Sequence, residues 1–419
     1  MRVLFFLFLA IGFLSSFGQS TSDTLSITLR EADEIILKRN LTLIAAQFNV
    51  NANDALIQQA KLWDNPILNT DQNIYDGKYF RHDNTGGTFY LQLVQTIRTA
   101  GKRGYSTAIA SDGQQVSKQQ FYDMVRLLRY TVHSDLIELS HLTTLELLYR
   151  HQVEILSKLD QAMDAQYKAG NVSLKENLRV KATLFGMKHE LSNLLITMNS
   201  FQAELRLILQ LKDNVVVSPQ VKQVKLSTLR IPSLDSLINS AMTSRPDLKI
   251  SSTRVTLLQD DFNLQKALAV PDFNTGFEFD QHNSYAHNFY GLSISMALPV
   301  LNRNQGNIKA AKMNVNEQVF LDQETQSKIR NEVINAYNNY LIYTKTITSD
   351  YTTFLVDYQN IFNKMIESYS ARQISLLELI DYLDAYKETQ LQNTELKTKL
   401  LQAAEDINNV TNSTFIDIY

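Results

Sequence analysis

Between Phe273 and Asp280, apolar and polar residues alternate. Phe273, Thr275, Phe277 and Phe279 fall on one side, and Asn274, Gly276, Glu278 and Asp280 on the other. Tyr290, Leu292, Ile294, Met296 and Leu298 repeat the pattern against Gly291, Ser293, Ser295 and Ala297. A period of two is that of a strand with one apolar and one polar face. The polar, turn-prone QHNSYAHN between the two runs makes them arms of a β-hairpin. In water the apolar face packs on a core. In a membrane barrel it faces lipid while the polar face lines a wet lumen.

Around this hairpin the period changes to three and four. Val333, Ala336, Tyr337, Tyr340 and Leu341, then Phe354, Leu355, Tyr358 and Phe362, predict a long helical hairpin, with no Gly or Pro after Gly306 to interrupt it. Arms of roughly 70–100 Å follow from 1.5 Å per residue, a length that suggests coiled-coil packing. Ser106 to Ala169, with Met124, Leu127, Leu128, Leu136, Leu139, Leu142, Leu145 and Leu148, predicts another such helix.

The chain also repeats itself. Leu43 and Leu248, Pro66 and Pro271, Asn69 and Asn274, and Thr70 and Thr275 share an offset of 205 residues. Leu91, Leu93 and Ile97 match Leu292, Ile294 and Leu298 at 201, and Tyr167–Glu176 matches Tyr369–Glu378 at 202. Three matched blocks in one order predict two copies of helix, β-hairpin, long helix, tip turn and helix. They span 19–212 and 233–419, with a linker over 213–232. Each copy supplies two strands. Four strands cannot close a barrel, and the smallest membrane barrels have about eight, so a barrel would have to be shared between subunits.

Composition narrows the setting. Arg2, an apolar run and the small residues Ser16 and Gly18 predict a secretory signal peptide over residues 1–18, too short for a spanning helix. With no later apolar helix, an exported chain is soluble or spans a membrane as a barrel. The absence of cysteine removes disulfides, thiolate metal sites and acylation at an N-terminal cysteine. A net charge of −3 gives no electrostatic case for nucleic acid. The seven histidines show no ligand spacing, so neither a metal site nor a cofactor is expected. No phosphate loop, nucleophile elbow or other catalytic signature is present.

The repeat, the tip pattern Y-x-x-G-x-[VI]-S-x-x-E, the VPDFN turn and the LPVLNRNQGN exit together resemble the TolC-like outer-membrane efflux proteins. TAGKRGY (99–105) and the 298–307 exit look most like the branch serving heavy-metal cation pumps. The resemblance covers about Leu25 to Asn412. It implies a mainly α fold with a small β part: long antiparallel helical hairpins, and four strands per chain entering a twelve-stranded transmembrane barrel shared by a homotrimer. It further implies a non-enzymatic, passive exit channel in the outer membrane, with a helical tunnel in the periplasm. Its partners would be a periplasmic adaptor, an RND-type inner-membrane transporter and outer-membrane lipid.

Candidate residues follow. Phe273, Phe277, Phe279, Leu292, Ile294 and Met296 are the expected lipid-facing set. Glu378, Asp381 and Asp384, at i, i+3 and i+6, fall near one helix face past the second tip; three copies would make an acidic gate that attracts cations. Ser375-Leu-Leu-Glu378 is equally a helix capping box, repeated at Ser173–Glu176. The tips, with Gly170, Val172, Ser173 and Leu174 in one and Ile374, Ser375 and Leu376 in the other, are either an adaptor-docking surface or packing between hairpin arms. Arg372 stands where the tip pattern has Gly, which leaves that turn open. Arg98, Lys102, Arg103 and Arg303 at the strand–helix junctions suit lipid headgroups, the carboxylates of a neighbouring subunit or solvent. Tyr75, Tyr79, Phe80, Phe89, Tyr90, Tyr285, Phe289 and Tyr290 form a candidate aromatic girdle. The rival reading is a soluble periplasmic coiled-coil adaptor or scaffold with a β subdomain.

Overall fold

The structure, a computed structural model, describes residues 23–83, 85–221, 231–282, 286–347, 358, 361, 364–369 and 371–416. The expected signal peptide, Tyr285, Phe354, Leu355 and Phe362 lie outside them. The first copy opens with β1 (Asp23–Ile27). Thr28 and Glu31 then cap each other in a reciprocal box that starts α1 (Leu29–Arg39). Asn40 closes α1 and, by accepting from the Leu43 N–H, starts α2 (Leu41–Lys61). The hairpin β2 (Ile67–Gln72) and β3 (Phe89–Ile97) leads into α3 (Lys102–Lys168) and α4 (Leu174–Leu209). At 67 residues, α3 is about 100 Å long.

After β4 (Val215–Pro219), the second copy repeats the order with α5 (Leu234–Ser244), α6 (Pro246–Leu268), β5 (Phe273–His282) and β6 (His287–Met296). It continues through α7 (Gln305–Thr346) to α8 (Leu376–Thr411). Each hairpin is thus preceded by two helices, where the sequence predicted one. At the α5–α6 break, Arg245 replaces the capping Asn40, and Pro246 at the first helical position needs no N–H partner. Arg245 is buried and held by Asp247 and Glu332, each at 2.5 Å.

The segment expected to be a linker carries structure. β4 pairs in parallel with β1, from Asp23–Val215 to Ile27–Pro219. The Gln202 side-chain amide donates to the Val217 carbonyl at 2.7 Å and accepts from its N–H at 2.8 Å, completing the buried edge of β4. The β-branched run Val215-Val216-Val217 suits a strand, but its partner lies nearly 200 residues away. The main core gathers around this pair, where Ile36 of α1, Leu136 of α3, Leu209 of α4, Leu237 of α5, Val333 of α7 and Ile407 of α8 meet. A second cluster, including Leu145, Leu156, Leu184, Leu383 and Tyr386, continues toward the tips. The predicted helical spacing therefore buries what it should: Leu136, Leu139, Leu142, Leu145, Val333, Ala336 and Tyr340 are interior, while Leu127 is exposed.

Above the helices, the two hairpins join through β3 and β5 into one antiparallel sheet of order β2-β3-β5-β6. Below it, α2 packs on α3, α3 on α6 and α6 on α7. Sheet and helix layer thus run in the same order and end at the same two edges: β2 with α2, and β6 with α7.

Candidate functional site

Directly paired residues of an antiparallel sheet share a face, so the register decides what each face carries. One row is Leu68, Leu93, Phe277 and Leu292, whose side chains are 61%, 49%, 50% and 83% exposed. Neighbouring rows hold Thr275 with Ile294, and Ile97 with Phe273 and Met296. The predicted set Phe273, Phe277, Leu292, Ile294 and Met296 therefore lies on one largely apolar face that nothing among the described residues covers. Phe279 shares that face but is half-buried, in an aromatic group with Phe89 and Tyr290 at ring-centroid distances of 6.1 and 5.0 Å. Tyr290, and Tyr75, Tyr79 and Phe80 of the β2–β3 loop, are exposed near the far end of the sheet.

The opposite face is a polar ladder. Asn69 donates to Gln92 at 3.2 Å; Gln92 donates to Glu278 at 3.3 Å and to Ser293 at 3.2 Å; Tyr90 donates to Glu278 at 3.1 Å. Thr96 donates to Asn274 at 2.9 Å one step nearer the helices. Gly276 permits the close approach here, because a Cβ would lie 2.6 Å from Ser293 Oγ. Four strands thus present a mainly polar, hydrogen-bonded surface on one side, interrupted by Ile67 and Val94, and a mainly apolar one on the other, interrupted by Gln95 and Thr275.

The basic residues at the strand–helix junction are mostly paired within the chain. Arg98 makes two bonds to Asp64, at 2.6 and 2.8 Å. Lys102 is buried, donating to Asp272 and to the Val270 carbonyl at 2.7 Å each. Arg103 lies 3.8 Å over the ring of Trp63. Their carboxylate partners belong to the segments just ahead of β2 and β5, positions that residue type alone did not single out.

At the other end, the two tips are copies. Gly170 donates to Tyr167 O at 3.0 Å and Asn171 to Gln166 O at 2.9 Å; Arg372 and Gln373 make the same pair of bonds to Tyr369 O and Ser368 O, both at 2.9 Å. Both are Schellman turns. Arg372 takes φ +57° where Gly170 has φ +77°, so the left-handed position is kept without the glycine that makes it easy. The next helix starts identically: Ser375 Oγ accepts from the Glu378 N–H at 3.2 Å while Glu378 accepts from the Ser375 N–H at 2.7 Å, as Ser173 and Glu176 do.

Glu378 is therefore a helix cap, and the Ser375 N–H and then its hydroxyl hold its carboxyl below the usual range. Glu378, Asp381 and Asp384 all lie on the exposed face of α8, opposite buried Leu379, Ile380 and Leu383. Asp381 is 3.9 Å from Arg179 of α4, an exposed pairing worth about 0–1 kcal/mol. The apolar tip residues divide. Val172 packs with Met163, Val180, Leu376 and Ile380, and Ile374 packs on the second cluster. For Val172, Ile374 and Leu376 the structure thus shows the second of the two alternatives, packing between the arms. Leu376 opens α8 facing that packing. Leu174 remains exposed, joined by Leu178 and Leu377.

The sequence missed a buried charge cluster midway along the helices. His133 of α3 is fully enclosed between Glu405 of α8, 2.7 Å from Nδ1, and Asp33 of α1, 3.0 Å from Nε2. Arg129 reaches the other Asp33 oxygen at 3.0 Å. Burial pulls the imidazole pKa down, but hydrogen bonds to Asp33 and Glu405 outweigh it and lift it to about 9. No group of three or more acidic or imidazole side chains able to hold a metal occurs among the described residues.

Residues 237–413 match the family described as Outer membrane efflux protein. No curated protein sequence matches the chain. Among solved structures, the CmeC outer membrane channel of Campylobacter jejuni superposes with a TM-score of 0.77 at 15% identity, over 92% of this chain and 86% of that one. The outer membrane protein VceC of Vibrio cholerae gives 0.74 at 13%, over 93% and 97%. CusC gives 0.74 at 13%, over 92% of each chain. At these identities the likeness is one of fold, and it extends over nearly the whole described chain.

Proposed function

We propose that this chain, whose residues 237–413 match the outer membrane efflux protein family, is one protomer of a trimeric exit channel in the outer membrane. The observation that carries the reading is the shared pair of open edges beneath an uncovered apolar sheet face. A four-stranded sheet with two free edges and a bare apolar face is not a finished structure in water. An even strand count lets β6 of one copy pair antiparallel with β2 of the next, and α7 then meets α2 in the layer below. Three copies make a barrel of twelve strands, within the known range. Lipid covers the Leu292–Ile294 face, and the Gln92–Glu278 ladder lines the lumen. A soluble adaptor would leave the apolar face without a partner.

The helical half then extends into the periplasm as a tunnel. At its tips, Leu174, Leu178 and Leu377 suit a periplasmic adaptor, which in turn would link to an RND-type transporter. Gly170, Ser173 and Ser375 shape the turns and caps that present them. Glu378, Asp381 and Asp384, from three copies, would ring the mouth with carboxylates that favour cations. Glu378 would act there from its capping position. Together with the TAGKRGY and LPVLNRNQGN resemblances, this supports metal cations as substrate. Opening would be a shift between two packings of the tip hairpins, biased by the adaptor.

The test is reconstitution. The protein, purified in detergent, should have the mass of a trimer and open cation-selective channels in planar bilayers. A detergent-free soluble monomer with no conductance overturns the reading.

A further inference from the structure

The rim where sheet meets helices carries a second feature, independent of the lipid face. Leu301 is 91% exposed, yet the loop bearing it is tied down. The Asn304 side-chain amide donates to Gln265 O at 2.8 Å, and the Arg303 N–H donates to Gln305 Oε1 at 2.8 Å. A fixed loop that presents a bare leucine is a knob without a hole.

The hole lies at the opposite edge. Leu62 and Trp63, 58% and 62% exposed, line a cleft of about 150 Å³ with Gly101, Arg103 and Gly104. That volume is on the scale that accepts a benzene-sized group. Asp64, Arg98 and Lys102 line the cleft as well, and their charges are already satisfied within the chain: Arg98 pairs with Asp64, and Lys102 with Asp272. Arg103 stacks on one face of Trp63. A Cβ on Gly104 would meet nothing within 4 Å, so there is free space beside this lining residue.

Chain direction brings the two together. Trp63 precedes β2, which starts at Ile67, and Leu301 follows β6, which ends at Met296. When β6 pairs antiparallel with β2 of the next copy, the end of β6 lies beside the start of that β2, on the rim facing the helices. Below, α2 ends at Lys61 and α7 starts at Gln305, so both layers bring the same segments level. Leu301 also breaks the even-numbered alternation that carries Leu292, Ile294 and Met296 onto the lipid face.

We propose that Leu301 of each protomer seats in the Leu62–Trp63 cleft of its neighbour, an interprotomer latch that locks the barrel to the helical tunnel. The latch rests on the trimeric reading above. Its role is to fix the rotation of one protomer against the next at the level where strands become helices.

The chain has no cysteine, so a Trp63→Cys/Leu301→Cys double variant tests this directly in membranes. A short bis-maleimide linker suits the geometry, since contacting side chains of this size need not bring Cα atoms within disulfide range. Covalent dimers and trimers on a denaturing gel, absent from either single variant, are expected. The oligomer's mass is measured on the same sample without linker. A trimer that does not cross-link overturns the latch and leaves the channel reading standing, and a lipid-sensitive fluorophore on Leu301→Cys then reports whether this residue faces lipid instead. A monomer overturns both. As a second arm, Leu301→Asp and Trp63→Ala should each lower the trimer's dissociation temperature in detergent, and the pair should lower it no further than the larger single effect. Additive losses would show that the two residues do not meet.

Discussion

Replacing His133 with Gln tests how α1, α3 and α8 are held together at mid-height. The imidazole joins α3 to α1 through Asp33 and to α8 through Glu405, at 3.0 and 2.7 Å, with no solvent access. In the folded chain its pKa rises from the usual 6.5 to about 9. A group whose folded pKa lies above its unfolded value contributes stability that is complete below about 6.5. That contribution is lost as pH climbs through about 9. At 1.36 kcal/mol per pKa unit, the protonated imidazole is worth roughly 3 kcal/mol at pH 6. His133→Gln removes the cation and leaves the nearly buried Glu405 carboxylate facing a neutral amide. Breaking a buried pair in this way costs about 3–5 kcal/mol, consistent with the first figure. Thermal unfolding of purified wild type and variant from pH 6 to 10 is the assay, with amide exchange across α1 and α8 as the local readout. Wild type should melt lower as pH rises from 7 to 10, and the gap to the variant should be widest at pH 6 and shrink by pH 10. Other groups titrating in this range cancel in the difference. A gap that stays constant with pH, or no gap at pH 6, would refute the idea that a charged histidine pins these helices.

Ile294→Arg puts a cation on the exposed apolar face; at the bilayer midplane that costs about 2–4 kcal/mol, so heat-resistant oligomers on unboiled gels should become scarce. Normal assembly of that variant would mean the face never meets lipid. Asp381→Ala should raise single-channel conductance or antibiotic leak while leaving the melting temperature unchanged, since its pairing with Arg179 is exposed and weak; unchanged conductance removes it from the gate. Arg372→Gly should relieve a left-handed backbone that costs a non-glycine residue about 1–2 kcal/mol. Amide exchange at that tip should slow by roughly five-fold or more, a stabilisation of about 1 kcal/mol. Faster exchange would show that the Arg372 side chain holds the turn.

The two-fold repeat, the β-hairpins, the long helices and the two capping boxes at the tips were legible along the chain because each is written in short-range terms. Alternation at Phe273–Met296 needs only neighbours two apart, α3 needs spacings of three and four, and Ser375–Glu378 closes over three residues. The Schellman turn at Arg372 was less legible, since its sequence lacks the glycine that marks the same turn at Gly170. Tertiary structure alone decided what depends on distant partners. His133 meets Glu405 across 272 residues and Asp33 across 100, and no spacing rule reaches so far. β1 finds β4 inside a stretch that reads as a linker. Leu376 turned inward while Leu377 and Leu174 stayed exposed, because that depends on where the facing arm lies. The same holds for the sheet. Its strands and their two faces are properties of local residue order, but the coincidence of its free edges with those of the helix layer arises only when two distant hairpins pair through β3 and β5. Local periodicity sets which groups a segment can offer, and the packing of remote segments sets which of them are left to meet lipid, solvent or another copy.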